Sequence, residues 1–208
     1  EKMGDYMNPK FICVKYDMEK GEGPELAKKF GVRAYPTFVI VNPDGTIRHK
    51  LVGGGEGEKF IERVKESFDD NKALGALDAK YNSGNRDKAF LSQYAQVMVA
   101  NYDPNAKPIV DELLKISTDE EKLSEDYWFI FGNSELSPKD SEAAKFLTDN
   151  RSKFNETIGK EKVDSRLSEG LFREILMVIA GRGQKTDVKR LDAIGREVKA
   201  LKLSNEKT

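Results

Sequence analysis

A proline stands directly in front of an apolar run at Tyr35-Pro36, followed by Thr37, Phe38, Val39, Ile40 and Val41. Proline has no backbone donor and a fixed φ, so it can only begin such a strand or lie at a sheet edge. An X-Pro bond is also the one place where a cis peptide is cheap, which makes Tyr35-Pro36 a candidate for it. The strand at 37–41 runs into Asn42-Pro43-Asp44-Gly45, with Pro and Gly where tight turns use them, and a second strand follows at 46–52. The pair reads as an antiparallel hairpin. Upstream, Pro24 suits a first helical turn, Leu26 and Phe30 share a face, and Gly31 is a stop. Residues 1–8 form a short amphipathic piece ending at Asn8-Pro9. Residues 11–17 are β-branched and aromatic and predict another strand. Downstream, the glycines of 53–57 predict a flexible link into an amphipathic helix carrying Phe60, Ile61, Val64 and Phe68.

The stretch from Val32 through Arg33, Ala34, Tyr35, Pro36, Thr37 and Phe38, then Asn42-Pro43-Asp44-Gly45 and Val52-Gly53-Gly54, resembles the C-terminal half of a thioredoxin-like domain. The likeness covers about the first third of the chain. With the loop that begins at Asp17, it is most similar to bacterial envelope thiol–disulfide oxidoreductases. The resemblance implies that Ala34, Tyr35, Pro36 and Thr37 form the loop beside a Cys-x-x-C pair and contact thiol substrates by backbone pairing. It implies protein or peptide thiols and disulfides as substrates, a periplasmic or other envelope location with a cytoplasmic one as the alternative, and no cofactor. In that family a further strand lies between those at 11–17 and 37–41 and precedes this segment in sequence. The expectation is therefore an N-terminally truncated thioredoxin-like domain, with direct pairing of the two strands as the alternative.

The redox pair itself is absent. The chain has one cysteine, Cys13, so no dithiol chemistry can be written with these residues and no catalytic residue is assigned. Cys13 sits in an apolar run and is expected to be buried and structural.

Beyond about Asp70 the strand signals stop and helical periodicity takes over. Apolar groups recur at Leu74/Leu77/Tyr81, Phe90/Tyr94/Val97/Met98 and Ile109/Leu113/Leu114. Thr118 and Glu121 have capping-box spacing and are expected to open one helix through Leu123, Tyr127, Ile130 and Phe131 to Gly132. Ser137-Pro138 reads as a cap and first residue of a helix through Leu147. Phe154 and Ile158 end at Gly159, and Val163, Leu167, Leu171, Ile175 and Ile179 predict a long buried stripe up to Gly181. Val188, Leu191, Val198 and Leu201 line a last helix. The expected class is α/β plus all-α, with a thioredoxin-like part at 1–70 and a helical part at 71–208. Hairpins near Asp70 and Pro104 are spaced close to tetratricopeptide units, and both a TPR-like array and an irregular bundle remain open for the second part.

The remaining chemistry has plain readings. His49 is the only histidine, lies between Arg48 and Lys50, and is expected to be solvated. One histidine and one cysteine make no metal cluster, so no metal is expected. The acidic loop at 17–23 lacks calcium-ligand spacing, and 53–57 lacks a phosphate-binding pattern. Trp128 reads as packing, with an exposed aromatic patch for a protein partner as the other reading. The basic stretch at 182–190 reads as a solvated connection. Charged residues are 34% of the chain with a net charge of −1, which favours neither nucleic acid nor membrane insertion. Two functions follow. One is a thiol–disulfide oxidoreductase whose dithiol lies outside these residues. The other is a redox-silent thioredoxin-like scaffold with a helical binding module.

Overall fold

The computed structural model describes residues 2–179 and 188–201. Helices dominate, with one two-stranded antiparallel sheet among the described residues. The chain divides into two compact units, Glu1–Ile116 and Ser117–Thr208.

In the first unit, α1 spans Lys2–Met7 and α2 spans Gly23–Lys29, with Pro24 in its first turn. Strands β1, Thr37–Val41, and β2, Ile47–Val52, pair with Thr37 opposite Val52 and a bulge between Ile40 and Val41. The turn between them is held by Asp44, whose Oδ1 accepts from both the Thr46 amide and hydroxyl. Those hydrogen bonds hold the Asp44 carboxyl below its ordinary pKa. Helix α3, Gly57–Lys65, sets Phe60 and Val64 on Leu51, with Tyr6, Met7, Phe11 and Ile40 closing the cluster. The link expected to be flexible is pinned instead. Arg63 of α3 donates to the carbonyls of Val52, Gly53 and Gly54.

The predicted strand at 11–17 does not form. Phe11 joins the core, but Ile12 is 97% and Val14 72% exposed, and Cys13 is exposed, contrary to its expected burial. Neither strand of the hairpin pairs with this segment, so the direct-pairing alternative does not occur. Strand propensity needs a ladder to act on, and without a partner the backbone bonds to water.

The boundary expected at 70/71 lies inside the first unit. Helix α4, Leu74–Asn82, lies against β2 so closely that a Cβ on Gly75 would stand 2.1 Å from the Ile47 carbonyl oxygen. Only glycine permits that approach. Arg48 of β2 ties the same region down, donating to the Ser67 carbonyl and to Asp70, both at 2.6 Å. Helices α5, Lys88–Ala100, and α6, Ala106–Ile116, complete the unit. They bury Leu91, Tyr94, Met98, Ile109, Val110 and Leu113.

In the second unit, the capping box at Thr118 and Glu121 is present, but α7 stops after Asp119–Lys122. The Ser124 hydroxyl bonds the Glu121 carbonyl, and a 3-10 turn at Glu125–Tyr127 leads into a separate α8, Trp128–Phe131. Ser137 is not a helix cap. It is buried and donates to the Phe131 and Asn133 carbonyls, and α9, Glu142–Asp149, is capped by Ser141 instead. Helix α10, Arg151–Phe154, passes through a π-turn at Asn155–Gly159 into α11, Lys160–Ile179; α12 spans Val188–Leu201. Phe131, Phe146 and Phe154 form an aromatic core that Trp128 joins through Phe154, which is the packing reading. The α11 stripe is buried at Val163 and Leu171 but ends in the open, with Ile179 exposed. The Gly181 stop and residues 182–187 of the basic stretch lie outside the described residues. No described helix is long and apolar enough to cross a membrane.

Candidate functional site

The loop at 34–37 is set by its neighbours. Helix α2 ends when Val32 N–H reaches back to the Ala27 carbonyl and Gly31 turns at φ 60°. The chain then bends through Arg33 and Ala34 into a cis Tyr35–Pro36 peptide. The Thr37 hydroxyl donates to the Ala34 carbonyl at 2.6 Å, closing the bend on itself. Gly53 N–H donates to the Pro36 carbonyl at 2.8 Å, extending the hairpin by one rung.

Two of the loop's three carbonyls before Thr37 are therefore occupied, Ala34 by a side chain and Pro36 by backbone. Tyr35 makes no hydrogen bond among the described residues through either its N–H or its C=O, and the residue is 64% exposed. Beside it, β1 has β2 on one side and no strand on the other among the described residues. Phe38 and Val41 of β1 are exposed. The arrangement offers an extended chain one free backbone pair at Tyr35, then a strand edge flanked by apolar side chains. Residues 34–41 carry no thiol, imidazole, amine or carboxylate.

Cys13 is a lone exposed thiol on a segment outside the sheet. Among the described residues no three His, Cys, Asp or Glu side chains are grouped so as to hold a metal.

His49 departs most from expectation. It is only 3% exposed, and its Nδ1 accepts the Leu74 N–H at 3.2 Å, at the first turn of α4. Burial, reinforced by the Arg48 and Arg63 charges, lowers its pKa to about 4. The flanking Arg48 and Lys50 suggested solvent. The signal pointing the other way was the position of His49 two residues before Leu51, hence on the same side of the strand. Lys50, too, is buried. The half-buried Asp78 and the buried Tyr94 form a further pair, with the phenol donating at 2.6 Å. Burial raises the pKa of both.

Comparison with protein-family models, with curated proteins and with solved structures finds no match to this chain.

Proposed function

We propose that the chain carries the substrate-contacting part of a thioredoxin-like thiol–disulfide oxidoreductase acting on protein or peptide thiols. On this reading β1, β2 and α3 correspond to the C-terminal half of that fold, and Ala34, Tyr35, Pro36 and Thr37 form the loop against which an extended substrate lies. The observation that carries it is the unpaired Tyr35 backbone at the free edge of β1. Edge strands and open backbone pairs of this kind are where an added strand gains main-chain hydrogen bonds. The reaction needs a thiolate that attacks a substrate disulfide, releasing one substrate thiolate to take up a proton. A second thiol then resolves the mixed disulfide. Cys13 alone cannot supply both steps, so a dithiol must come from outside these 208 residues. An envelope location belongs to the same reading, as does a TPR-like or bundled arrangement of the helices.

A second reading is favoured by the single cysteine. In it the same edge binds peptide without redox chemistry and the chain is a scaffold. The test of the shared site is titration of the isotope-labelled chain with an unfolded, reduced peptide. The expected result is chemical-shift change concentrated at residues 34–41, lost in Tyr35→Pro, which removes the free N–H. Shifts that ignore this segment refute both readings. In an insulin-reduction assay this chain alone is expected to show no turnover.

A further inference from the structure

Within the second unit, α9, α11 and α12 line an open pocket of about 450 Å³. That size falls in the range of about 300–1,000 Å³ usual for small-ligand sites. Ala144, Leu147, Leu167, Gly170, Leu171 and Leu201 form its apolar part. Of its charged lining residues, Arg166 is the buried one. Arg166 is 93% buried, being 7% exposed, and has no carboxylate within ion-pair distance among the described residues.

Its guanidinium is held rigidly. Nε donates to the Phe131 carbonyl at 3.0 Å, and Nη2 donates to the Ser137 carbonyl and hydroxyl. Nη1 makes no hydrogen bond among the described residues. It lies 3.6 Å from where a Cβ on Gly170 would stand, on the cavity wall. The other buried charge among the described residues of the unit, Asp164, is neutralised by Arg151 and Lys160. Arg166 has only carbonyl and hydroxyl dipoles, with Glu169 attracting and Arg173 repelling from farther off. A buried charge with no directly paired counterion is costly, and a guanidinium does not escape by losing its proton. Asp140, Asp149, Glu197, Lys139 and Lys145 also contribute to the lining, and Lys139 is paired with Glu197 and Glu174.

We infer that this cavity is a binding site for a small apolar monocarboxylate, such as a medium-chain fatty acid, whose head pairs with Nη1 of Arg166 and whose tail fills the space between α9, α11 and α12. An aliphatic pocket alone would accept an alcohol as well as an acid. The guanidinium, with Nη1 free of hydrogen bonds among the described residues, favours the acid, because a charge-assisted hydrogen bond is stronger than a neutral one.

The test is calorimetric titration of the full chain with octanoate and, separately, with octan-1-ol, with methyl shifts of Leu147 and Leu171 reporting location. Octanoate is expected to saturate one site at least tenfold more tightly than the alcohol, and Arg166→Gln to bring the two within about twofold. Should Arg166→Gln fail to fold, Ala144→Leu decides. It keeps the arginine, fills the cavity, and is expected to weaken octanoate at least tenfold. Equal affinity for acid and alcohol, binding that leaves those methyls unmoved, or octanoate binding undiminished by Ala144→Leu overturns the inference.

Discussion

Acidification should loosen the first unit through a single side chain. His49 is buried against α4 and accepts the Leu74 N–H through Nδ1, so it is bound in its neutral form. Protonation replaces that acceptor with a donor, puts a positive charge at the positive end of a helix, and adds it to Arg48 and Arg63. With the folded pKa depressed from 6.5 to about 4, the unfolded chain binds the proton first. Stability is therefore full above about pH 6.5 and falls as the pH drops from there towards 4. Each pKa unit corresponds to about 1.4 kcal/mol, so the full loss at the acid end is about 3 kcal/mol. At pH 5.5 the same linkage gives a loss of about 1.4 kcal/mol. That pH is the useful one, because His49 is the only histidine and ordinary carboxylates have scarcely begun to titrate. The assay is urea unfolding at pH 7.5 and 5.5 for the natural chain and for His49→Asn, whose side-chain oxygen stands near the place of Nδ1 without titrating. The natural chain should lose about 1.4 kcal/mol more between the two conditions than the variant, because Asp78, whose pKa burial raises, titrates alike in both. A natural chain that loses no more stability than the variant refutes the reasoning.

Gly75→Ala should destabilise the first unit by about 3 kcal/mol in urea unfolding, since its Cβ would stand 2.1 Å from the Ile47 carbonyl oxygen and backbone must move to admit it; unchanged stability would show that α4 does not lie so close. Cys13 should react with a chromogenic disulfide under native conditions about as fast as a small-molecule thiol, given its exposure. A rate that rises steeply only on adding denaturant would restore the buried-strand expectation.

Local chemistry was enough for several elements. Pro and Gly at 43 and 45 set the hairpin turn, apolar spacing set α3 and α6, and Thr118 with Glu121 set a capping box, because each depends on residues within a few positions of one another. The bend at Tyr35-Pro36 was legible for the same reason, while the capture of the Ala34 and Pro36 carbonyls by Thr37 and Gly53 was only partly so. What the sequence could not express was who stands opposite whom. The run at 11–17 has every local mark of a strand and no ladder to join, so Cys13 is exposed rather than buried. His49 and Lys50 look solvated among charges, and α4 covers His49 because Gly75 lets a helix rest on the backbone of β2. Arg166 falls one residue before Leu167 of the apolar stripe, and nothing near it in sequence tells that its partners are the carbonyls of Phe131 and Ser137. Turns and helix faces are local interactions. Burial of a charge, or pairing of a strand, depends on residues brought together from far along the chain, and only the tertiary structure decides it.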